Sequence, residues 1–215
     1  MSFVKYKGLY RGTTKIFVNG YFYRNPVLIA ALGLYPVAAA GYNLRNAVEL
    51  SLLFLFLSLP VGLIACMVGQ MIPYWARPGV ILAAAGVCWL PAAWLTERVL
   101  PGSITALGMF GGLMVCNSVI LSRATEYDVT HIAPAVVADA VGSSVGFALV
   151  ICFCGIVREL WLKGSLWGVN TGVYGTGDGG ISLPFFGFIL VGFLAAFLQW
   201  INRVRGDKQK KGMRE

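Results

Sequence analysis

With 215 residues, 58% of them hydrophobic and only 12% charged, and a mean hydropathy of +0.74, the chain lies outside the composition of soluble globular domains. Its formal net charge of +8 does not point to nucleic acid, because Lys and Arg gather mainly at the two ends of the chain.

Residues 1–24 form a basic segment carrying Lys5, Lys7, Arg11 and Lys15. The apolar run 16–23 is too short and too polar for a signal-peptide core, no small-x-small site follows, and no processing is expected. Six stretches without a charge come next, at 26–44, 50–76, 78–96, 99–122, 140–157 and 179–202. A hydrocarbon core about 30 Å thick needs about 20 apolar residues in a helix. The chain is therefore expected to be an all-α membrane protein with six transmembrane helices in a domain spanning 25–203, closed by a basic tail at 204–215.

The basic residues of both tails, with Arg77 and Arg123 in the second and fourth connections, outnumber those on the other side. Positive residues near span ends stay cytoplasmic, so both termini are expected inside, their tails against anionic lipid headgroups.

The first span holds Leu32-Gly33-Leu34-Tyr35 directly before Pro36, which cannot donate to a helical ladder. The second carries Pro60 and Gly62 and ends at Pro73, and Pro91 interrupts the third. In the fourth, Leu107-Gly108-Met109-Phe110 repeats the first motif after 75 residues, followed by Gly111-Gly112. Three helices separate the copies, so the second runs the opposite way. The pattern predicts two inverted three-helix repeats, with the first helix broken at Pro36 and the fourth at Gly111-Gly112. Gly142, Gly146 and Gly155 let the fifth helix approach its neighbours closely. The Gly-rich connection 163–183, flanked by Trp161 and Trp167, lacks the Lys-Ser/Thr ending of a phosphate loop and reads as a flexible connection with interfacial tryptophans.

No catalytic constellation stands out. His131 is the single histidine, and the five cysteines all fall within spans, where thiols behave as small hydrophobes. Cys152 and Cys154 sit two residues apart, so about 200° of helical turn separates them. Arg123 and Arg158 are expected to close the fourth and fifth helices and Asp139 to cap the start of the fifth. Asp139, Glu126 and Glu49 are also the carboxylates best placed to handle protons or Na⁺.

Several segments in order carry a resemblance: Asn25-Pro26-Val27-Leu28, Leu32-Gly33-Leu34-Tyr35-Pro36, Leu44-Arg45-Asn46-Ala47, Leu107-Gly108-Met109-Phe110, residues 117–124, 141–147 and 155–160, and the closing 188–202. From Asn25 to Asn202 the chain resembles the six-helix membrane subunits shared by the Rnf electron-transport complex and the Na⁺-translocating NADH:quinone reductase. The basic N-terminal segment favours the Rnf E-type or Nqr D-type branch. The resemblance implies a hetero-oligomeric complex in a bacterial or archaeal inner membrane, with an inverted sister subunit and further electron-transport subunits as partners. It also implies a [2Fe–2S] cluster shared with that sister through cysteines at the two helix breaks. Here Tyr35 stands in the first cysteine place and Ser118 in the second, and Cys116 is the one thiol nearby that could substitute. Thiolates hold such clusters, so these positions are not expected to ligate one.

The sequence thus reads as a subunit of a redox-driven, ion-translocating complex, a divergent scaffold or electron-path component without catalytic residues of its own. Its alternative is a stand-alone inverted-repeat transporter or channel, and a weaker third reading is an assembly subunit.

Overall fold

A computed structural model describes residues 28, 32–40, 43–170, 175, 180–181 and 183–211. The basic segment 1–24, the motif residues Asn25, Pro26 and Val27, and much of the Gly-rich connection lie outside the described residues.

In chain order, a π-helical turn (Pro36–Ala40) precedes α1 (Leu44–Val68) and α2 (Arg77–Val99). Three short helices follow, α3 (Ser103–Leu107), α4 (Met109–Leu113) and α5 (Ser118–Ser122), and then the long helices α6 (Ala133–Lys163) and α7 (Pro184–Lys211). Between the last two lies an antiparallel hairpin of β1 (Ser165–Leu166) and β2 (Val169–Asn170), which pairs Ser165 with Asn170 and Leu166 with Val169. This hairpin, entered through left-handed Gly164, gives regular structure to part of the stretch expected to be a flexible connection.

Among the described residues, four segments are long and apolar enough to cross a membrane: Leu44–Met71, Arg77–Val99, Ala133–Lys163 and Pro184–Ile201. The fourth charge-free stretch is not one helix. It breaks at Gly108, whose φ of +51° suits glycine, and again at Asn117, where the chain is extended. Gly111 and Gly112, the expected place of the break, both lie inside α4. Asn117 accounts for the second interruption, because its side-chain oxygen accepts the Val119 N–H at 2.9 Å and restarts the helix as α5.

The core forms where α1 lies between α6 and α2. Leu50, Leu53, Phe54, Leu57 and Val61 recur at helical spacing on one face of α1 and are fully or almost fully buried. Phe54 stacks on Phe147 of α6 at 4.6 Å between ring centres, and Ser58 hydrogen-bonds Ser144 at 3.2 Å. Gly155 permits this approach, since a Cβ there would lie 3.2 Å from both Ala47 Cβ and the Asn43 carbonyl oxygen. Val87, Leu90, Phe193 and Phe197, by contrast, are more than half exposed on the outer faces of α2 and α7, which suits lipid or a partner.

Two polar assignments change. Asp139 is not a cap: α6 starts at Ala133 with Pro134 in its first turn, a position where proline's missing N–H costs nothing. Asp139 therefore lies within the helix and faces Arg123, with Nη1 to Oδ1 at 3.5 Å. Arg158 does not end its helix at the surface either. It is 1% exposed and donates to the carbonyl oxygens of Ala38 (2.7 Å), Ile181 (3.2 Å) and Leu183 (3.2 Å). It ties the π-helical turn and the entry to α7 onto α6. The adjacent Glu159 accepts the Leu44 N–H at 2.8 Å, satisfying one of the free donors that begin α1.

Candidate functional site

The two interrupted segments meet. Gly33, in the turn ahead of the π-helical segment, has φ +66°, and its N–H donates to Ser118 Oγ at 2.8 Å. Two residues later, Tyr35 donates its hydroxyl hydrogen to the Leu113 carbonyl oxygen at 2.5 Å and approaches Met114 Sδ at 3.7 Å. These contacts join positions 78 to 85 residues apart. Gly33 fits closely, because an added Cβ would lie 3.0 Å from Val119 Cγ2 and 3.3 Å from Asn117 Oδ1.

Each contact has a backbone reason. A helix that stops inside an apolar layer leaves carbonyls without partners, and no water is at hand to satisfy them. Tyr35 satisfies Leu113 at the end of α4, and Trp89 of α2 donates its indole N–H to the Gly111 carbonyl at 2.8 Å. Asn117, fully buried, caps α5 with its oxygen while its amide nitrogen lies 3.6 Å from Met114 Sδ. Tyr35 and Ser118, the two positions singled out by the resemblance, thus each bond across one junction, Tyr35 to Leu113 and Ser118 to Gly33. Cys116 ends the 3₁₀ turn Met114–Cys116, two residues before Ser118, and is exposed. Trp89 and Asn117 are additions that the structure makes. Asn117 carries a signal in the sequence, as an N-cap residue ahead of an apolar run, whereas nothing local marks Trp89.

A second polar site lies next to the junction. A small pocket between α1, α5 and α6 is lined in part by Ser58, Gly62, Arg123, Asp128, Asp139 and Ser143, with room for about one water. Asp139 Oδ2 is buried there without a hydrogen-bond partner. Asp128, 5% exposed, sits in the 3₁₀ turn Asp128–Thr130 against Gly62, where a Cβ would meet Asp128 Oδ2 at 2.9 Å. Burial, then repulsion from Asp139, pushes the Asp128 carboxyl up to about 7, against the pull of Arg123. The other two carboxylates noted from the sequence are elsewhere: Glu126 is exposed, and Glu49 is buried in an ion pair with Arg45 at 2.9 Å. His131 stacks on Tyr127 at 3.8 Å. Cys154 is buried and Cys152 only partly so, and among the described residues no cluster of three or more His, Cys, Asp or Glu could hold a metal.

Comparison with known proteins adds a family. The model of the Rnf-Nqr subunit, membrane protein, family matches residues 13–198. The chain is 26% identical over 191 residues to the E-type subunit of the proton-translocating ferredoxin:NAD(+) oxidoreductase complex of Clostridium ljungdahlii, covering 87% of this chain and 89% of that one. It is 26% identical over 190 residues to the E-type subunit of the Na(+)-translocating ferredoxin:NAD(+) oxidoreductase complex of Acetobacterium woodii, covering 86% and 95%. It is 24% identical over 146 residues to the D-type subunit of the Na(+)-translocating NADH-quinone reductase of Pseudoalteromonas translucida, covering 68% and 70%.

Proposed function

This chain belongs to the Rnf-Nqr family of membrane subunits, and from that premise we propose that it closes the membrane centre of an Rnf/Nqr-like complex with hydrogen bonds where an iron–sulfur cluster would otherwise sit. The chain is a membrane subunit of such an ion-translocating electron-transport complex, in keeping with the complexes named for its relatives. In the proposed arrangement it crosses the membrane six times as two inverted three-helix units, keeps both termini inside and packs against an inverted sister subunit along the broken segments. The inverted repeat is supported by the matched pairs Leu32-Gly33 and Leu107-Gly108, where both glycines take positive φ, +66° and +51°.

The observation that carries the reading is the pair of hydrogen bonds, Gly33 to Ser118 and Tyr35 to Leu113, that joins the two interrupted segments. The same pair supports a reading of how a [2Fe–2S] cluster would fare. Thiolates hold such clusters. At the two family ligand positions stand hydroxyls already committed to the backbone, one accepting from Gly33 and one donating to Leu113. Cys116 supplies a single thiol beside them. These residues do not fit a thiolate-held cluster, so the redox chemistry belongs to other subunits and this chain supplies the low-dielectric frame.

Affinity purification of the tagged chain from its native membranes in mild detergent tests the assignment. A second, homologous membrane subunit and redox subunits are expected to co-purify in stoichiometric amounts. A chain that purifies alone and moves a solute in liposomes would replace this reading with that of a stand-alone transporter.

A further inference from the structure

We propose that Asp128 and Asp139, facing Arg123 in the pocket between α1, α5 and α6, form a one-proton site, a carboxylic acid–carboxylate pair that takes up and releases a single H⁺. The charge balance of the pocket argues for it. The pocket holds two carboxyls against one guanidinium, and Arg123 lies 3.5 Å from Asp139. With both ionised, the two carboxylates would carry one negative charge more than Arg123 offsets while themselves 4–5% exposed, and holding one proton on the pair removes it. Asp139 Oδ2, buried and without a partner, marks the place on the pair where a hydrogen is lacking.

Arg123 is the one cation among the residues that line the pocket, and His131, exposed and outside the lining, also acts electrostatically on Asp139. Along α1 the pocket is lined by Phe54, Ser58 and Gly62, none of them charged. Ser58 and Ser143 donate to backbone oxygens, of Leu55 and Ala140. Tyr127 and His131 lie on the same connection as Asp128, and the exposed His131 offers the proton an exit to solvent. Release is therefore Asp128–COOH paired with Asp139–COO⁻ going to two carboxylates plus H⁺, with no electron moved. Relatives whose names include proton translocation make such a site relevant to the complex, but the assignment rests on the pocket alone.

Infrared spectroscopy of the full-length chain in nanodiscs, titrated from pH 5 to 9, tests it independently of any complex. One protonated-carboxyl stretch per chain is expected to vanish with a midpoint near 7, to be absent in Asp128→Asn, and to return in Asp128→Glu. Stability gives a second readout. The folded carboxyl titrates above its ordinary value of 3.8, so its contribution is complete below about pH 4 and is lost as pH rises through about 7. Thermal stability should fall from pH 5 to 8 in the wild type and less steeply in Asp128→Asn. The proposal is overturned if no protonated carboxyl is seen at pH 5–6, or if the band survives both Asp128→Asn and Asp139→Asn and disappears in Glu49→Gln. A midpoint that moves with Na⁺ concentration also overturns it, because the pocket would then hold a metal cation.

Discussion

Replacing Arg158 with Leu should destabilise the chain by about 3 kcal/mol or more and lower its melting temperature in detergent by about 6–12 °C. The guanidinium satisfies the carbonyls of Ala38, Ile181 and Leu183, which come from two separate stretches of chain. Leucine fills part of the volume but leaves three acceptors short of a donor, those of Ala38 and Ile181 in buried bonds, and each buried unsatisfied carbonyl costs about 1–3 kcal/mol. The ties from the π-helical turn and from the entry to α7 would loosen together, and the first interrupted segment would lose its anchor on α6. Arg158→Lys keeps the charge but cannot fork to three oxygens, so an intermediate loss is expected. Thermal unfolding followed by size-exclusion chromatography distinguishes the three proteins, and equal stability of all three would refute this role.

Gly33→Val should be comparably severe, through the junction itself. A left-handed backbone costs a side-chain-bearing residue about 1–2 kcal/mol, and a β-branched one more. The new Cβ would press on Val119 Cγ2 at 3.0 Å and on Asn117 Oδ1 at 3.3 Å, the atom that caps α5. Moving Asn117 away releases the Val119 N–H, and moving Gly33 away releases its own bond to Ser118. The expected result is loss of the assembled complex, read as failure of the tagged variant to retain its partners. Gly86→Ala is the control: that position in α2 has no atom within 4 Å of an added Cβ, and little change is expected.

The long helices are legible in the sequence for a simple reason: charges cannot be spared inside a bilayer, so their absence outlines α1, α2, α6 and α7. The same criterion misplaces the start of α6, because Asp139 interrupts the charge-free run while Pro134 is the better helix-start signal. Hydropathy also cannot distinguish an arginine at an interface from one buried among carbonyls, and Arg158 is the second kind. In the interrupted fourth stretch, the repeat motif places a break close by, but its position depends on side-chain capping by Asn117 and on the positive φ of Gly108 rather than on glycine content. Tyr35 and Ser118 are identifiable from sequence only through the family resemblance, as the residues in the two cysteine places. What they bond to is not, because their partners lie 78 and 85 residues away. The Asp128–Asp139–Arg123 pocket is equally hidden, since it forms only when a connection folds back against α1 and α6.

The most direct test of the central claim is electron paramagnetic resonance of this chain co-purified with the sister membrane subunit proposed for it and chemically reduced, alongside iron and acid-labile sulfide analysis of the same pair. The hydrogen-bonded junction predicts no stoichiometric [2Fe–2S] signal from the pair. A stoichiometric signal that disappears in Cys116→Ala would contradict it.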